Sequence, residues 1–339
     1  MDHYIGLDAH SKTCTFVAMD SSGKIVREGF FKTSESGLKS MVKSLEGDVA
    51  VVLEETNISH WIYNTIKPHA KKVIVCHAAH LPKKSGPKTD YRDALHLVKQ
   101  LRAENLTPVH HDDDEGLMDL RSVVSSYQGI VDSIVQQKNR FKAILRSEGI
   151  EYNLTKLKSK RIEQSNKIKS IPKQTVAKRI IDHIEALETI KSSYAKDFHN
   201  NRYRNQHIRN LRTIPGIGPI RAHTIAAYIS TGHRFENKHK LWAYSKLVRH
   251  QDVSDGFIYS KRTPQGRSEL KNAFMGAALK IVISPKENAL KAYYRNLVIE
   301  KHLDHKKARK ALARKIAAIA LVTLKKEIKY NDQLATIRH

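Results

Sequence analysis

The apolar pattern of this 339-residue chain changes period once, near Asp112. Before that point short apolar runs alternate with helical stretches; after it apolar residues recur every three or four positions. Residues 3–7 (His-Tyr-Ile-Gly-Leu) and 13–19 (Thr-Cys-Thr-Phe-Val-Ala-Met) are rich in β-branched, aromatic and aliphatic side chains. Residues 20–24 (Asp-Ser-Ser-Gly-Lys) form a turn, and 25–31 resume the strand pattern. These runs predict a three-strand meander with Asp8 near the end of its first strand.

A helix is expected over 36–45, then an unbroken apolar run, 49–53, that ends at Glu54 and has the look of a buried central strand. Residues 61–67 suit a helix, 72–76 another buried strand, and 90–102 a helix with Ala94, Leu95, Leu97, Val98 and Leu101 as its apolar positions. A meander followed by strands alternating with helices indicates an α/β layer of ribonuclease-H-like type. Past Asp112, the spacing of Val123, Val124, Tyr127, Ile130, Val131, Ile134, Val135, Phe141, Ile144 and Leu145 predicts a long amphipathic helix. Val176, Ile180, Ile184, Leu187, Ile190, Tyr194 and Phe198 predict a second. The Lys-rich stretch 154–173 between them reads as a basic turn, so the pair forms either an antiparallel coiled-coil arm, closed within the chain or between subunits, or an ordinary helical bundle. From 211 onward an all-α module is expected, with helices near 221–229, 241–244, 270–283, 289–301 and 306–326 and a turn-rich interruption at 251–266. The expected division is therefore 1–111, 112–210 and 211–339.

Lys and Arg total 60 against 34 acidic residues, a formal charge of +26, and the bases are spread over most of the chain. That distribution suits an extended polyanion-binding surface. Cys14 and Cys76 are the only cysteines, and neither has partners at zinc spacing, so neither a disulfide framework nor a structural zinc is expected. The chain opens on a strand-like run and holds no apolar stretch of membrane-spanning length, which predicts a cytoplasmic protein with no membrane partner. His77 and His80 read as loop residues, and the run from His110 to Asp114 as a solvated linker.

Against this basic background four acids stand at element boundaries: Asp8 and Glu54 at strand ends, Asp90 and Asp93 at the start of a helix. Positions i and i+3 of a helix share a face. Carboxylates gathered that closely repel unless a cation lies between them, and Mg²⁺ (or Mn²⁺) takes hard oxygen ligands. Two such ions can serve the attacking and leaving oxygens of a phosphoryl transfer. Taken singly, each acid has a plainer explanation, Asp90 as a helix cap among them. Lys12, Lys88 and Arg92 flank the acids and could hold a nucleic-acid strand. Pro215-Gly216-Ile217-Gly218 reads as a helix-hairpin-helix turn whose glycines admit a phosphate, with Arg221 adding a charged contact; a simple helix–helix turn is the competing view. Trp242, Tyr244, Tyr293 and Tyr294 read as core.

The segments Gly-Leu-Asp-Ala-His-Ser-Lys, Val-Leu-Glu-Glu-Thr-Asn, Lys-Thr-Asp-Tyr-Arg-Asp-Ala and Thr-Ile-Pro-Gly-Ile-Gly-Pro-Ile-Arg-Ala occur here in that order. In these the chain resembles the DEDD transposases of the insertion sequence 110 family, relatives of the Piv DNA invertase. The resemblance implies a RuvC-like N-terminal domain whose acids are Asp8, Glu54, Asp90 and Asp93, and a C-terminal transposase domain with a serine nucleophile. Leu247 to Arg249 and Gly266 to Lys271 bracket Ser254-Asp255-Gly256, so Ser254 inherits that role, with Ser260 as the alternative. It further implies donor and target DNA as substrates, a structured guide (bridge) RNA that pairs with both, a dimer or tetramer, and a prokaryotic, nucleoid-associated location. The sequence departs from the family at Glu55, a second acid beside Glu54, at Arg249 in place of proline, and at Asp255 in place of glycine. Two rival functions remain at this point: a RuvC-like nuclease or Holliday-junction resolvase using water, and a non-catalytic nucleic-acid-binding protein.

Overall fold

The computed structural model describes residues 1–78, 81–82, 87–109, 115–152, 158–200, 205–254 and 257–336, with the side chains of 252–261 outside that description. The chain divides into two compact units, Met1–Asp113 and Asp114–His339.

The first unit contains β1 (His3–Ala9), β2 (Thr13–Asp20), β3 (Ile25–Lys32), α1 (Glu35–Lys43), β4 (Val49–Glu54), α2 (Ser59–Ile66), β5 (Lys72–Cys76) and α3 (Asp90–Arg102). The strands form one sheet in the order β3-β2-β1-β4-β5. The meander β1–β2–β3 is antiparallel, while β4 and β5 join parallel to β1, the arrangement that helical crossovers allow. This mixed α/β layer is consistent with a RuvC-like domain.

Alternation sorts each strand onto two faces. Ile5 and Leu7 of β1, Val49, Val51 and Leu53 of β4, and Val75 of β5 pack with Leu38, Met41 and Val42 of α1 and Ile62 and Ile66 of α2. On the other face Ala50, Val52 and Ile74 pack with Leu97 and Leu101 of α3, and Val17 and Met19 with Ala94 and Val98. Gly6 lies on that second face, directly under α3. A Cβ there would fall on the Ala94 carbonyl oxygen and 2.5 Å from the Val98 nitrogen. The helix therefore rests on the β1 backbone itself, which only glycine permits. Thr89 caps α3, its hydroxyl accepting from the Arg92 N–H at 3.2 Å. Asp90 is thus the first helical residue and not the cap, so its carboxylate is not used up in ending the helix.

The second unit contains α4 (Glu115–Ser147), α5 (Lys158–Asn166), α6 (Ile171–His199), α7 (Gln206–Leu211), α8 (Pro219–Ile229), α9 (Lys238–Tyr244), β6 (His250–Ser254), β7 (Phe257–Arg262), α10 (Ser268–Ile283), α11 (Ala289–Ile299), α12 (His305–Lys326) and α13 (Gln333–Thr336). Helices α4 and α6 run antiparallel within the chain: Tyr127 meets Phe198, Lys138 pairs with Glu188, and Glu148 pairs with Lys173. Phe141 and Leu145 pack with Ala177, Ile180, Ile181 and Ile184, whereas Val135, Val176 and Ile190 of the expected apolar stripe are exposed.

Two segments differ from expectation. The Lys-rich stretch is not simply a turn, because α5 lies within it and buries Arg161, Gln164 and Ser165. The Arg161 guanidinium is satisfied by Glu185 and Glu188 of α6, each at 3.1 Å. The turn-rich interruption is a β-hairpin, with His250 opposite Arg262 and Ser254 opposite Phe257. The core of this unit forms around α12, whose Leu312, Ala313, Ile316, Ala317, Ile319 and Ala320 are all enclosed, with Trp242, Tyr244, Tyr293 and Tyr294 packed at its margin.

Because α3 sits directly on the β1 backbone, Gly6→Ala should destabilise the Met1–Asp113 unit by about 1–3 kcal/mol, the usual cost of overpacking. Urea unfolding of the full chain, followed by hydrogen exchange of β1 and β4 amides, would measure it; an unchanged midpoint would show that α3 does not bear on Gly6.

Candidate active site

Asp8 and Glu54 reach the same edge of the sheet because β1 and β4 are parallel and in register. Leu7 faces Leu53, which makes Asp8 and Glu54 the next pair along. By alternation both belong to the face that carries α3. Glu55 follows the strand end, gives its N–H to the Cys76 carbonyl at 2.8 Å and is exposed. Asp90 and Asp93 occupy the first turn of α3, where the helix dipole favours negative charge. Asp93 is buried and Asp90 exposed.

Three ligand atoms, from Asp8, His10 and Asp90, lie within 4.8 Å of one another. His10 Nε2 is 3.3 Å from Asp8 Oδ2 and 3.7 Å from Asp90 Oδ1. Glu54 and Asp93 stand outside that trio, yet both act electrostatically on Asp8. Burial is the first cause that pushes the Asp8 carboxyl above its ordinary value; His10 opposes the rise, and Asp90, Asp93 and Glu54 add to it. The Oδ2 atom of Asp8 is enclosed and accepts no hydrogen bond, despite the nearby imidazole. A buried carboxylate oxygen without a donor, ringed by three further acids, is poorly placed as it stands and well placed to meet a cation. The donor set fits Mg²⁺ or Mn²⁺, since it is mostly hard oxygen with one imidazole nitrogen. His10 was not among the expected site residues. Its signal in the sequence is its place two residues beyond Asp8, the spacing that returns a side chain to the same face of a strand.

Lys12 lies in the β1–β2 turn and Lys88 just before α3, both exposed. Arg92 folds back to give a hydrogen bond to the Pro87 carbonyl at 3.3 Å. Among the described residues none of these three cations has an ion pair with Asp8, Glu54, Asp90 or Asp93. His77 is exposed beyond β5, while His80 and the run from His110 to Asp114 lie outside the described residues.

Residues 5–149, which contain all four acids, match the sequence model of DEDD transposases of IS110, described as "Transposase". Residues 208–295 match a second, described as "Transposase IS116/IS110/IS902 family". The chain belongs to the IS110 family of transposases. One relative, "Putative transposase y4qE" of Sinorhizobium fredii (strain NBRC 101917 / NGR234), is 24% identical over 252 residues. That stretch is 72% of this chain and 63% of the relative, so the chain spans less than two thirds of the relative's length.

In this IS110-family chain the second matched region holds the Pro215–Gly218 turn and the hairpin. Gly216 has a positive φ of 80°, and a Cβ there would fall on the Ala277 carbonyl of α10. Its lack of a side chain is needed for packing. Gly218, the residue before α8, has open space where a Cβ would be, leaving the helix N-terminus approachable. The Arg221 guanidinium gives a hydrogen bond to the Gly216 carbonyl at 3.1 Å and is half-buried, which lowers its pKa. It braces the turn from within. Ser254 closes β6 and Ser260 lies in β7; their side chains, with Asp255 and Gly256 entirely, lie outside the described residues. No helix among the described residues is long and apolar enough to cross a membrane.

The crowded acids make stability depend on pH and cations. The Asp8 pKa is raised above 3.8, so its contribution to stability is complete below that value and is lost as pH rises through the higher, folded value. Asp8→Asn removes this loss. At neutral pH in EDTA the variant should therefore melt higher than the parent, whereas Mg²⁺ should raise the melting temperature of the parent alone. Equal Mg²⁺ responses would dissociate Asp8 from cation binding.

Proposed function

We propose that this chain is an RNA-guided DNA recombinase that cuts and rejoins DNA through Ser254, assisted by a divalent cation held by Asp8, Glu54, Asp90 and Asp93. The observation that carries the reading is the enclosed Asp8 oxygen that accepts no hydrogen bond, close to Asp90 and His10, where two parallel strands end near the start of α3. When bound, Mg²⁺ or Mn²⁺ supplies the positive charge that lets these carboxylates stand together and that offsets charge developing on a phosphate.

The chain's own residues supply the rest. The sheet register sets Asp8 and Glu54 at neighbouring strand ends and the seat of α3 on Gly6 sets Asp90 and Asp93 in its first turn, which supports Asp8 and Asp90 as the nearest pair of ligands. Attack by the Ser254 hydroxyl on a phosphodiester forms a phosphoserine bond and releases the strand's own hydroxyl, which carries away the proton. Attack by a second strand's hydroxyl then breaks the phosphoserine bond and frees the serine. The bond energy is conserved across the two steps, so no external energy source is needed; a water nucleophile would only cut. Sequence choice would lie in the guide RNA, and the protein's net charge of +26 suits it to hold backbones by shape and charge. A dimer or tetramer would bring donor and target together.

Trapping on a nicked suicide DNA substrate tests this. Parent protein should form a covalent adduct that Ser254→Ala abolishes; transfer of the adduct to Ser260 would reassign the nucleophile. Cleavage without any adduct would favour a water-using RuvC-like nuclease and sink the serine mechanism. Asp8→Asn and Asp90→Asn should each slow adduct formation more than about 100-fold, beyond what partners outside a metal's ligand set are worth. Their DNA affinity in EDTA should stay within about threefold or tighten, because removing a carboxylate lessens repulsion of phosphate. Equal losses of binding and activity would contradict a catalytic role for these acids.

A further inference from the structure

Beyond the acidic cluster, the strongest unexplained feature is a group of basic side chains around the root of the β6–β7 hairpin. Lys310 and Arg314 lie one turn apart on α12, hence on one face, and both are partly buried. Arg249 is exposed in the residue before β6, and Lys271 is exposed near the start of α10. Arg314, Arg249 and Lys271 all act on Lys310, and with burial they lower its pKa. Among the described residues none of the four has a carboxylate ion pair. Elsewhere in the same unit, by contrast, the buried Arg161 is matched by two glutamates.

Aromatic and backbone contacts hold one of these cations, Arg314. The Trp242 N–H bonds to the Arg314 carbonyl at 2.9 Å, and the Arg314 guanidinium lies 5.7 Å from the Trp242 ring centre. Lys238 adds a further cation 5.6 Å from the same ring. The hairpin root is pinned beside them. The Arg267 N–H bonds to the Tyr244 carbonyl at 2.8 Å, and a Cβ on Gly266 would fall on that carbonyl. On the other side, Leu247 is fully enclosed two residues before Arg249. Like charges gathered in this way, with Lys310 and Arg314 partly withdrawn from water, repel one another unless an anion lies among them.

We infer that Arg249, Lys271, Lys310 and Arg314 form a binding site for the phosphodiester backbone of a nucleic acid at the root of the β6–β7 hairpin. The site rests on the proposed function to the extent that it requires a nucleic-acid substrate or guide. It is not the place of bond breaking. Five residue steps along β6 take the backbone from Arg249 to Ser254, at most roughly 17 Å at strand rise. The cluster therefore sets where the backbone lies relative to the hairpin, as a flanking clamp.

Fluorescence anisotropy of the full chain in EDTA, across a NaCl series, tests this without any chemistry. Labelled duplex DNA and an RNA hairpin are the two probes. Removing one phosphate-binding cation should reduce the slope of log affinity against log salt by about 0.9, so Arg249→Gln/Lys271→Gln/Lys310→Met should flatten it by about 2–3. Lys178→Gln/Lys196→Gln/Lys191→Gln on α6 serves as a control with the same charge change and should leave the slope nearer the parent's. Flattening on DNA, on RNA or on both supports the site and identifies which backbone it grips. An unchanged slope on both probes, or equal flattening in the control, overturns it. If Lys310→Met impairs folding, the exposed pair Arg249→Gln/Lys271→Gln carries the test alone, with a flattening of about 1.8. If the parent bound neither probe, the functional reading itself would fall, an outcome distinct from loss of the clamp alone.

Discussion

The seat of α3 on β1 is the contact on which the acidic site depends. Strand register alone brings Asp8 beside Glu54, but the other two acids arrive on a helix, and that helix can approach because position 6 carries no side chain. Ala94 and Val98, which meet Gly6, are on the same helix as Asp90 and Asp93, so a shift of α3 by one methyl group would carry both acids with it. Close packing transmits such a shift instead of absorbing it.

Like charges are handled in three different ways along this chain. In the helical arm, Arg161 is buried and matched by Glu185 and Glu188, a self-contained arrangement that ties α5 to α6. At the acidic site Asp8 and Asp90 stand close to one another and to His10, Glu54 and Asp93 act on Asp8 electrostatically, and one Asp8 oxygen accepts no hydrogen bond. Beside the β-hairpin, Lys310 has Arg314, Arg249 and Lys271 as its charged neighbours among the described residues. The first needs nothing more. The other two are charged in opposite senses, one acidic and one basic, as the proposed action on a polyanion with a cation's help would use them.

Much of this was readable from local pattern. The strand runs ending at Asp8 and Glu54 and the helix spanning Asp90–Arg102 follow from apolar periodicity, because each element buries one apolar face. Helix α5 was not readable, since its buried face consists of Arg161, Gln164 and Ser165 and so gives no apolar period. The β6–β7 hairpin was missed for a related reason: its strands are short and rich in polar residues, with three charged residues and several hydroxyls, and their pairing is a contact across the turn. Thr89, not Asp90, caps α3, a distinction between neighbouring residues that composition cannot make.

The sequence by itself determined which residue types were available and where: acids at the ends of apolar runs, bases spread over the chain, and a single change from strand alternation to helical spacing. These follow from the period of each element, which is a local property. Only the tertiary structure decided which of these residues meet. His10 became part of the acidic site because the end of β1 turns it toward Asp90, and Arg249, Lys271 and Lys310 became one cluster because three separate elements converge there. Such meetings depend on sheet register and helix seating over tens of residues, and so they are set by packing and not by spacing.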